Sequence, residues 1–306
     1  CVGHGGDLRH RAAHRRGGRL IRNRTSIGVL GVLAAAALFS TSGTSKALLA
    51  PDAWPPSVAA VRLLVGAAGM VAFVLYRGWR AEFVGLLRHR VVWLMAVGVA
   101  GYQAFFFLGV EVTGVAVGTL VALGSAPLLA GLLGWMVGEG APGWVWLGAT
   151  AVAVCGLLLI TGGGSADVWG VVCAVLAAGS YAIYTVFGAQ LAREGHRSSV
   201  VMAAPFTLGA LLLAPLLAAA GWVVSPAGIV LALWLGLAAT SLAYILFGLG
   251  LPVLQPGHIA TLTLLEPVGA TILGVVVLGE TVTVAGWLGV GLVLAGLAVV
   301  GLRDRA

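Results

Sequence analysis

The sequence predicts an all-α membrane protein in which ten transmembrane helices form two inverted five-helix repeats. Three observations lead to this fold class: ten long apolar runs, basic residues confined to one side of those runs, and motifs that recur in both halves. Of the 306 residues, 60% are hydrophobic and only 9% are charged, a balance outside that of ordinary soluble domains. We therefore expect the lipid bilayer to surround most of the chain.

The apolar runs account for nearly all of the chain from residue 27 onward. They lie at residues 27–47, 57–76, 91–109, 114–137, 143–161, 168–189, 199–220, 226–250, 256–278 and 284–302. Most reach the ~20 residues that a helix needs to cross the hydrocarbon core of a membrane. No segment long enough for a soluble domain remains between them, so the sequence predicts a multi-pass membrane protein.

The Arg and Lys residues outside the runs fall on one predicted face of the membrane. They precede the first run, occupy the second and sixth gaps, or follow the last run: Arg9, Arg11, Arg15, Arg16, Arg19, Arg22, Arg24, Arg77, Arg80, Arg88, Arg90, Arg193, Arg197, Arg303 and Arg305. Because basic loops stay on the cytoplasmic side, we expect an inner-membrane protein with both termini in the cytoplasm. Topology also accounts for the net charge of +7, so no nucleic-acid partner is expected.

The first 26 residues differ in composition from the rest of the chain. They are rich in Arg, Gly and His and lack apolar periodicity. A segment of this composition buries too little apolar surface to offset the entropy lost on folding. We expect residues 1–26 to form a basic, disordered cytoplasmic tail.

Motifs of the first half of the chain recur in the second half. The matched elements are Pro127 with Pro267, Gly138-Glu139 with Gly279-Glu280, and Trp146-Leu147-Gly148 with Trp287-Leu288-Gly289, at offsets of 140 and 141 residues. Each predicted unit, 27–161 and 168–302, contains five helices. An odd number makes the second unit enter the membrane from the opposite side, which gives an inverted repeat. Such symmetry lets one structure open to either side in turn and favours a secondary transporter.

The run at 256–278 and the segment after it carry three short motifs. They are Leu265-Glu266-Pro267-Val268-Gly269-Ala270, Leu278-Gly279-Glu280-Thr281 and Gly286-Trp287-Leu288-Gly289. Together they resemble the closing signature of the EamA family of the drug/metabolite transporter superfamily. The first unit is similar in weaker form at Ala126-Pro127 and Gly138-Glu139, and Arg62 resembles an arginine of that family. The resemblance implies ten helices in two units and transport of a small metabolite. The chain departs from the family at Leu38-Phe39-Ser40 and at His258.

Pro127 and Pro267 lie near the middle of their runs. A proline inside a helix kinks the axis and leaves the carbonyl four residues earlier unbonded, here those of Leu123 and Thr263. In lipid, such carbonyls must be satisfied by protein or by cavity water. We expect the two kinks to line a central cavity; a simple packing kink is the alternative.

Glu266 lies about 15 Å into its predicted helix, at 1.5 Å per residue, and so near the bilayer centre. A carboxylate at that depth is costly and must face the bundle interior, be paired or be protonated. It either couples protons or binds a substrate amine, or else it bonds the backbone freed by Pro267. For Arg62, the alternatives are a side chain that reaches back to the interface or one that attracts a carboxylate or phosphate.

Polar and aromatic side chains in other runs complete the predicted substrate site. With Arg62 and Glu266, the predicted substrate-binding residues are Tyr102, Gln103, Ser125, Tyr181, Tyr184 and Tyr244. Tyr181 and Tyr184 are three residues apart and therefore share one helix face. These side chains indicate a mostly neutral, amphipathic cavity for a small-molecule substrate.

The sequence thus predicts a secondary transporter that exports a small metabolite or amphipathic compound, such as an amino acid, by alternating access. A lipid-linked substrate flippase, or another non-enzymatic membrane carrier, is the alternative. Protons are a candidate coupling ion, and the oligomeric state is left open. We expect no enzyme, metal site or cofactor, because five of the six His residues lie in tails or loops without metal-site spacing.

Overall fold

The computed structural model describes residues 5–162 and 167–303, which are helical apart from short connections. The helices are α1 (Gly5–Leu49), α2 (Pro55–Tyr76), α3 (Arg80–Leu87), α4 (Arg90–Thr113), α5 (Val115–Met136), α6 (Trp144–Thr161), α7 (Val168–Arg193), α8 (Ser198–Leu212), α9 (Pro226–Leu233), α10 (Ala243–Gly248), α11 (Pro256–Leu262), α12 (Leu265–Leu278) and α13 (Val284–Arg303). A π-helix, Trp234–Leu242, joins α9 to α10. The described ranges contain no strand, so the predicted all-α class is confirmed.

Nine helical stretches of the described ranges are long and apolar enough to cross a membrane. The run predicted at 199–220 differs, because α8 has only 15 residues and is about 22 Å long, short of the ~30 Å hydrocarbon core. The chain continues after α8 in two 3-10 turns, Ala214–Ala219 and Gly221–Val224. Pro215 lies at the start of the first turn and lacks the backbone N–H that a continuing helix needs. The prediction of a multi-pass membrane protein is confirmed. Within the described ranges, nine of the ten predicted runs form helical stretches long enough to cross a membrane, and α8 alone is too short to form the tenth.

Helix α1 begins well before the apolar part of the chain. Its membrane-crossing part starts at Asn23, yet its helical backbone starts at Gly5. Residues 5–26 are therefore helical, whereas the sequence predicted a disordered tail over residues 1–26; residues 1–4 lie outside the described residues. A helix already nucleated in the membrane extends at little cost, and the Arg, Ala and Leu residues of this segment are good helix formers.

Glycines allow the closest approaches between helices. A Cβ added to Gly156 on α6 would lie 2.6 Å from the carbonyl oxygen of Gly289 on α13. On α4, a Cβ at Gly98 would lie 2.8 Å from the carbonyl oxygen of Ser180 on α7. In lipid, where helices associate through van der Waals contact rather than exclusion of water, small residues at such crossings bring the backbones together.

The bundle has two ends, which contacts between distant residues define. Arg193 pairs with Glu139 and donates to the Leu254 carbonyl, which brings three connections together at what we term the Arg193 end. Lys46, beyond which α1 ends, donates to the Pro51 carbonyl at the opposite end, termed the Lys46 end.

The two prolines predicted to kink helices have different effects. Helix α5 continues through Pro127. The span that contains Pro267 is interrupted, because α11 ends at Leu262 and α12 begins at Leu265. At the break, the backbone N–H of Glu266 donates to the Thr263 carbonyl at 2.9 Å, so the tighter turn satisfies the oxygen that the proline frees. The interruption brings Glu266 into the first turn of α12.

The crossing of α6 and α13 generates a test of this packing. Gly156→Ala should lower the thermal unfolding midpoint, because the added methyl meets backbone and overpacking of this kind costs about 1–3 kcal/mol. Gly148→Ala on the same helix is the matched control, since nothing lies within 4 Å of a Cβ there. Unfolding of the purified protein in detergent, followed by fluorescence, would measure both. Equal midpoints for the two variants would contradict the close crossing.

Candidate functional site

A cavity of about 470 Å³ extends from the Lys46 end into the bundle. We term it the central cavity. Helices α1, α2, α4, α5, α6 and α12 contribute to its wall. Its principal polar lining residues are Ser40, Ser42, Lys46, Arg62, Tyr102, Gln103, Thr119, Glu266, Thr271 and Glu280. An apolar bundle therefore encloses a cavity that carries both basic and acidic side chains.

A second cavity of about 40 Å³ adjoins the central cavity, and we term it the inner cavity. The two share Phe39, Arg62, Tyr102, Gln103, Leu123 and Glu266 in their walls. The inner cavity adds Ala126, Tyr181, Tyr184, Tyr244, Thr263 and Leu264. Seven of the eight predicted substrate-binding residues therefore line one or both cavities.

Ser125 is the exception among the predicted residues. Its hydroxyl donates to the Val121 carbonyl of its own helix at 2.5 Å. The α5 residues that face the cavities are Thr119, Leu123 and Ala126, spaced by four and three positions along one face. Ser125 follows Leu123 by two residues. At about 100° per residue this is a rotation of about 200° around the helix axis, so the Ser125 side chain points away from that face. Ser125 therefore lies outside the walls of the two cavities, and its role in substrate binding stays a prediction.

Arg62 is held inside the bundle by the π-helix. Its Nε donates to Thr240 Oγ1 at 3.3 Å, and its Nη2 lies 3.5 Å from the Ala239 carbonyl oxygen. The i→i+5 bonding of a π-helix is rare and often marks functional sites. Gly66 on α2 allows this approach, since a Cβ there would lie 2.7 Å from Thr240 Cβ. Of the two alternatives for Arg62, the structure therefore favours the side chain that faces the cavity.

Glu266 lines both cavities beside the break in its span. Among the described residues, its carboxyl makes no hydrogen bond to the backbone and no ion pair with Arg62. The alternative in which this carboxyl braces the freed carbonyl is not supported, because the backbone N–H of the same residue already meets that oxygen. A cation and an acid thus share two cavities without neutralising each other directly.

Four tyrosines gather around the inner cavity. The Tyr184 and Tyr244 hydroxyls lie 3.3 Å apart, and the Tyr181 hydroxyl lies 3.4 Å from Thr263 Oγ1. The Tyr181 and Tyr184 rings contact each other at 5.1 Å between centroids, and those of Tyr102 and Tyr181 at 6.1 Å. Aromatic edges and faces hold these hydroxyls in position.

Several lining residues were not predicted. Phe39, Ser40 and Ser42 of α1 face the central cavity, and Thr263 faces the inner cavity. A signal for the α1 residues exists in the polar stretch Ser40-Thr41-Ser42 within an otherwise apolar run. Thr240 had no such signal, because its contact with Arg62 joins residues 178 positions apart.

Polar contacts close the Arg193 end. Arg193 pairs with Glu139, and its Nη2 donates to the Leu254 carbonyl at 2.5 Å. Glu82 accepts from the backbone N–H of Arg197 at 2.8 Å and from its guanidinium at 2.6 Å. His196 Nδ1 lies 3.5 Å from the same carboxylate. These contacts tie the connections after α5 and after α7 to each other and to α3.

The environment of Glu82 determines its titration. Partial burial disfavours the charged form, but the backbone and side-chain hydrogen bonds from Arg197 outweigh it and lower the pKa of Glu82 below its usual range. A carboxyl whose pKa is lowered by folding adds to the free energy of unfolding at pH values above the pKa it has in the unfolded protein. This contribution is lost as the pH falls through the pKa of the folded protein.

A polar, charged cavity inside an apolar helical bundle, extending to one end and closed at the other, is the arrangement of a membrane transporter. Comparison with known proteins identifies the family. The model of the EamA-like transporter family matches residues 168–302. The uncharacterized transporter YwfM of Bacillus subtilis (strain 168) is 38% identical over 280 residues, covering 90% of this chain and 93% of YwfM. This chain therefore belongs to the EamA-like transporter family of the drug/metabolite transporter superfamily, and the resemblance noted in its sequence is confirmed.

Two further comparisons extend this result. The threonine/homoserine exporter RhtA of Escherichia coli (strain K12) is 28% identical over 278 residues, covering 87% of this chain and 88% of RhtA. A crystal structure that is 23% identical superposes with a TM-score of 0.75 and covers 91% of this chain and 97% of that chain, so the fold is shared. The relatives are named as transporters, and the chain is accordingly a transporter rather than an enzyme.

The Glu82 contacts give a pH-dependent prediction. Glu82→Gln should lower the unfolding midpoint at pH 5 to 7, by an amount equivalent to about 1 kcal/mol for a partly exposed ion pair. The difference from the wild type should shrink as the pH falls through the lowered pKa of Glu82, because the wild-type carboxyl then takes up its proton. Thermal unfolding in detergent from pH 3.5 to 7 would measure it. A difference that stays constant over this range would show that Glu82 acts through its shape alone.

Proposed function

We propose that this protein is a secondary transporter that exports a small amino acid across the inner membrane by alternating access. The observation that supports it most strongly is the arrangement of Arg62 and Glu266, which share the walls of two adjoining cavities without an ion pair between them. A zwitterion carries the two complementary charges. Its carboxylate would bind the Arg62 guanidinium, whose fork of donors suits carboxylates, and its ammonium would bind the Glu266 carboxylate.

The small number of basic residues in the central cavity agrees with a small, water-soluble substrate. Lys46 and Arg62 are its only basic lining residues among those described. A lipid-linked flippase would need a strongly basic groove for its phosphates, and these two side chains would not supply one. The relative named as a threonine/homoserine exporter supports both an amino-acid substrate and the outward direction.

We further propose ten spans in two inverted units, 27–161 and 168–302. Helix α8 with the two 3-10 turns up to Val224 would form the span that α8 alone is too short to complete. The family model matches residues 168–302, which supports a repeating unit with those bounds. The bounds of both units stay a prediction, and the match supports those of the second unit.

The basic residues support one orientation of the bundle. Arg193 and Arg197 lie at the closed end, and basic connections remain cytoplasmic. The central cavity would then open outward, with both termini in the cytoplasm. Breaking the Glu139–Arg193 and Glu82–Arg197 contacts would open the opposite path, which is the other half of an alternating-access cycle.

Glu266 also suggests how export would be driven. A carboxylate near the membrane centre holds either a proton or the substrate ammonium, since both need the same oxygen atoms. A proton entering from outside would displace the substrate, and the substrate loaded from inside would displace the proton. Competition for one carboxylate therefore couples inward proton movement to outward amino-acid movement.

The role of Arg62 can be tested by exchange of labelled for unlabelled threonine in proteoliposomes. Arg62→Gln should raise the half-saturating concentration at least tenfold, because removal of one partner of a charge-assisted hydrogen bond costs about 1.5–3 kcal/mol. Arg88→Gln, which changes an exposed arginine outside both cavities, is the matched control. Wild-type exchange by Arg62→Gln would contradict carboxylate binding at this residue.

The coupling role of Glu266 requires a separate measurement. In the same vesicles, an imposed pH gradient should drive accumulation of threonine by the wild type and fail to do so with Glu266→Gln. Exchange should persist at a raised half-saturating concentration, because the carboxamide oxygen still accepts from an ammonium. Glu194→Gln, in the connection after α7, controls for the change of charge. Gradient-driven accumulation by Glu266→Gln at the wild-type level would exclude Glu266 as the coupling group.

A further inference from the structure

The inner cavity holds more hydroxyl groups than its shape requires. Tyr181, Tyr184, Tyr244 and Thr263 all line it, and the three tyrosines are at most 7% exposed. Phenylalanine in place of the three tyrosines would fill nearly the same volume and would carry no polar atom into the membrane interior. Buried hydroxyls without good partners are costly, so their presence together calls for a polar occupant.

The hydroxyls are incompletely bonded to one another. The Tyr184–Tyr244 and Tyr181–Thr263 oxygen separations are 3.3 and 3.4 Å, whereas O–H···O bonds usually measure 2.5–3.0 Å. A hydroxyl donates once and accepts twice. The Tyr184–Tyr244 pair therefore retains capacity to donate to and accept from a third group in the cavity. Thr263 Oγ1 already donates to the Ala260 carbonyl at 2.8 Å, so in the other pair only the Tyr181 hydroxyl has a proton to donate, and both oxygens can accept.

The volume of the inner cavity limits what that third group can be. About 40 Å³ accommodates roughly three water-sized groups, at 10–15 Å³ each. A side chain of two or three non-hydrogen atoms fits this volume. A phenyl or indole ring does not, because the neighbouring rings already pack against each other, with Phe206 and Tyr244 4.2 Å apart between centroids.

The position of the inner cavity connects it to the zwitterion site. Arg62 and Glu266 lie in the walls of both cavities, so a ligand bound to both residues covers the entrance to the inner cavity. Its side chain then enters a compartment that no longer exchanges freely with outside water. An apolar side chain there would leave the tyrosine hydroxyls without a polar partner, whereas a hydroxyl would satisfy them.

We propose that the inner cavity is a side-chain subsite that selects amino acids with a short hydroxylated side chain, which the hydroxyls of Tyr181, Tyr184, Tyr244 and Thr263 bind. This inference rests on the proposed amino-acid transport and adds the substrate class to it. Threonine and valine have the same shape and differ in one hydroxyl, so they isolate its contribution. Sites built to bond a hydroxyl reject the analogue without it much more strongly than apolar pockets reject an added hydroxyl.

The first measurement compares substrates on the wild-type protein. Half-saturating concentrations for exchange in proteoliposomes should be at least tenfold lower for L-threonine and L-homoserine than for L-valine, and L-tryptophan should not exchange. This comparison needs no variant to fold. Equal values for threonine and valine, or transport of tryptophan at the rate of threonine, would overturn the subsite and leave amino-acid transport standing. Exchange of no amino acid would overturn both.

The second measurement removes the hydroxyls one at a time. Tyr181→Phe and Tyr244→Phe should each reduce the preference for threonine over valine at least threefold, because each removes one hydroxyl that would bond the threonine hydroxyl. Tyr76→Phe is the matched control, because Tyr76 is 88% exposed and lies outside both cavities. Its preference should equal that of the wild type. An unchanged preference in both inner-cavity variants would mean that trapped water, and not the substrate, satisfies these hydroxyls.

Discussion

The absence of water in a bilayer requires every backbone N–H and carbonyl inside it to find a partner within the protein. Regular helices meet this requirement alone, so a departure from regular helix needs a local compensation. Besides the two 3-10 turns after α8, the described chain departs from regular α-helix at the Thr263–Leu264 break and at the π-helix Trp234–Leu242. The break and the π-helix lie closest to the two cavities. At the first, a tighter turn bonds the Thr263 carbonyl; at the second, Arg62 approaches the Ala239 carbonyl. Both of these departures border the cavities, and each is adjacent to one of the two charged residues, Arg62 and Glu266, that line both cavities.

The charges and the helix packing depend on each other. Arg62 can face inward only because glycines let α2 approach the π-helix, and Glu266 lies beside the inner cavity only because its span is interrupted. The tyrosines in turn occupy the space between these residues and the closed end. A bundle that is rigid where its helices cross and irregular at its centre can hold a polar site in an apolar surrounding.

Much of this arrangement could be predicted from the sequence, because membrane insertion imposes strong constraints on composition. Run lengths predicted the nine membrane-crossing stretches of the described ranges, and a carboxyl deep in an apolar run predicted a cavity at Glu266. Three features could not be predicted for identifiable reasons. The side of α5 on which Ser125 lies depends on helix rotation, which a nearly uniform apolar run does not reveal. The inward path of Arg62 depends on Thr240, which is remote in sequence. The early end of α8 depends on how the bundle accommodates Pro215.

Arg193 contacts two separate connections at once, through Glu139 and through the carbonyl of Leu254. A carrier that opened at both ends together would become a pore and would dissipate the gradients that energise the cell. Because one guanidinium makes both contacts, we expect them to break together: when Arg193 separates from Glu139, it is also poorly placed to bond the Leu254 carbonyl. Such joint release makes partly opened states scarce. In the proposed alternating-access cycle, the single side chain of Arg193 would thereby protect the membrane against leakage while the central cavity stands open.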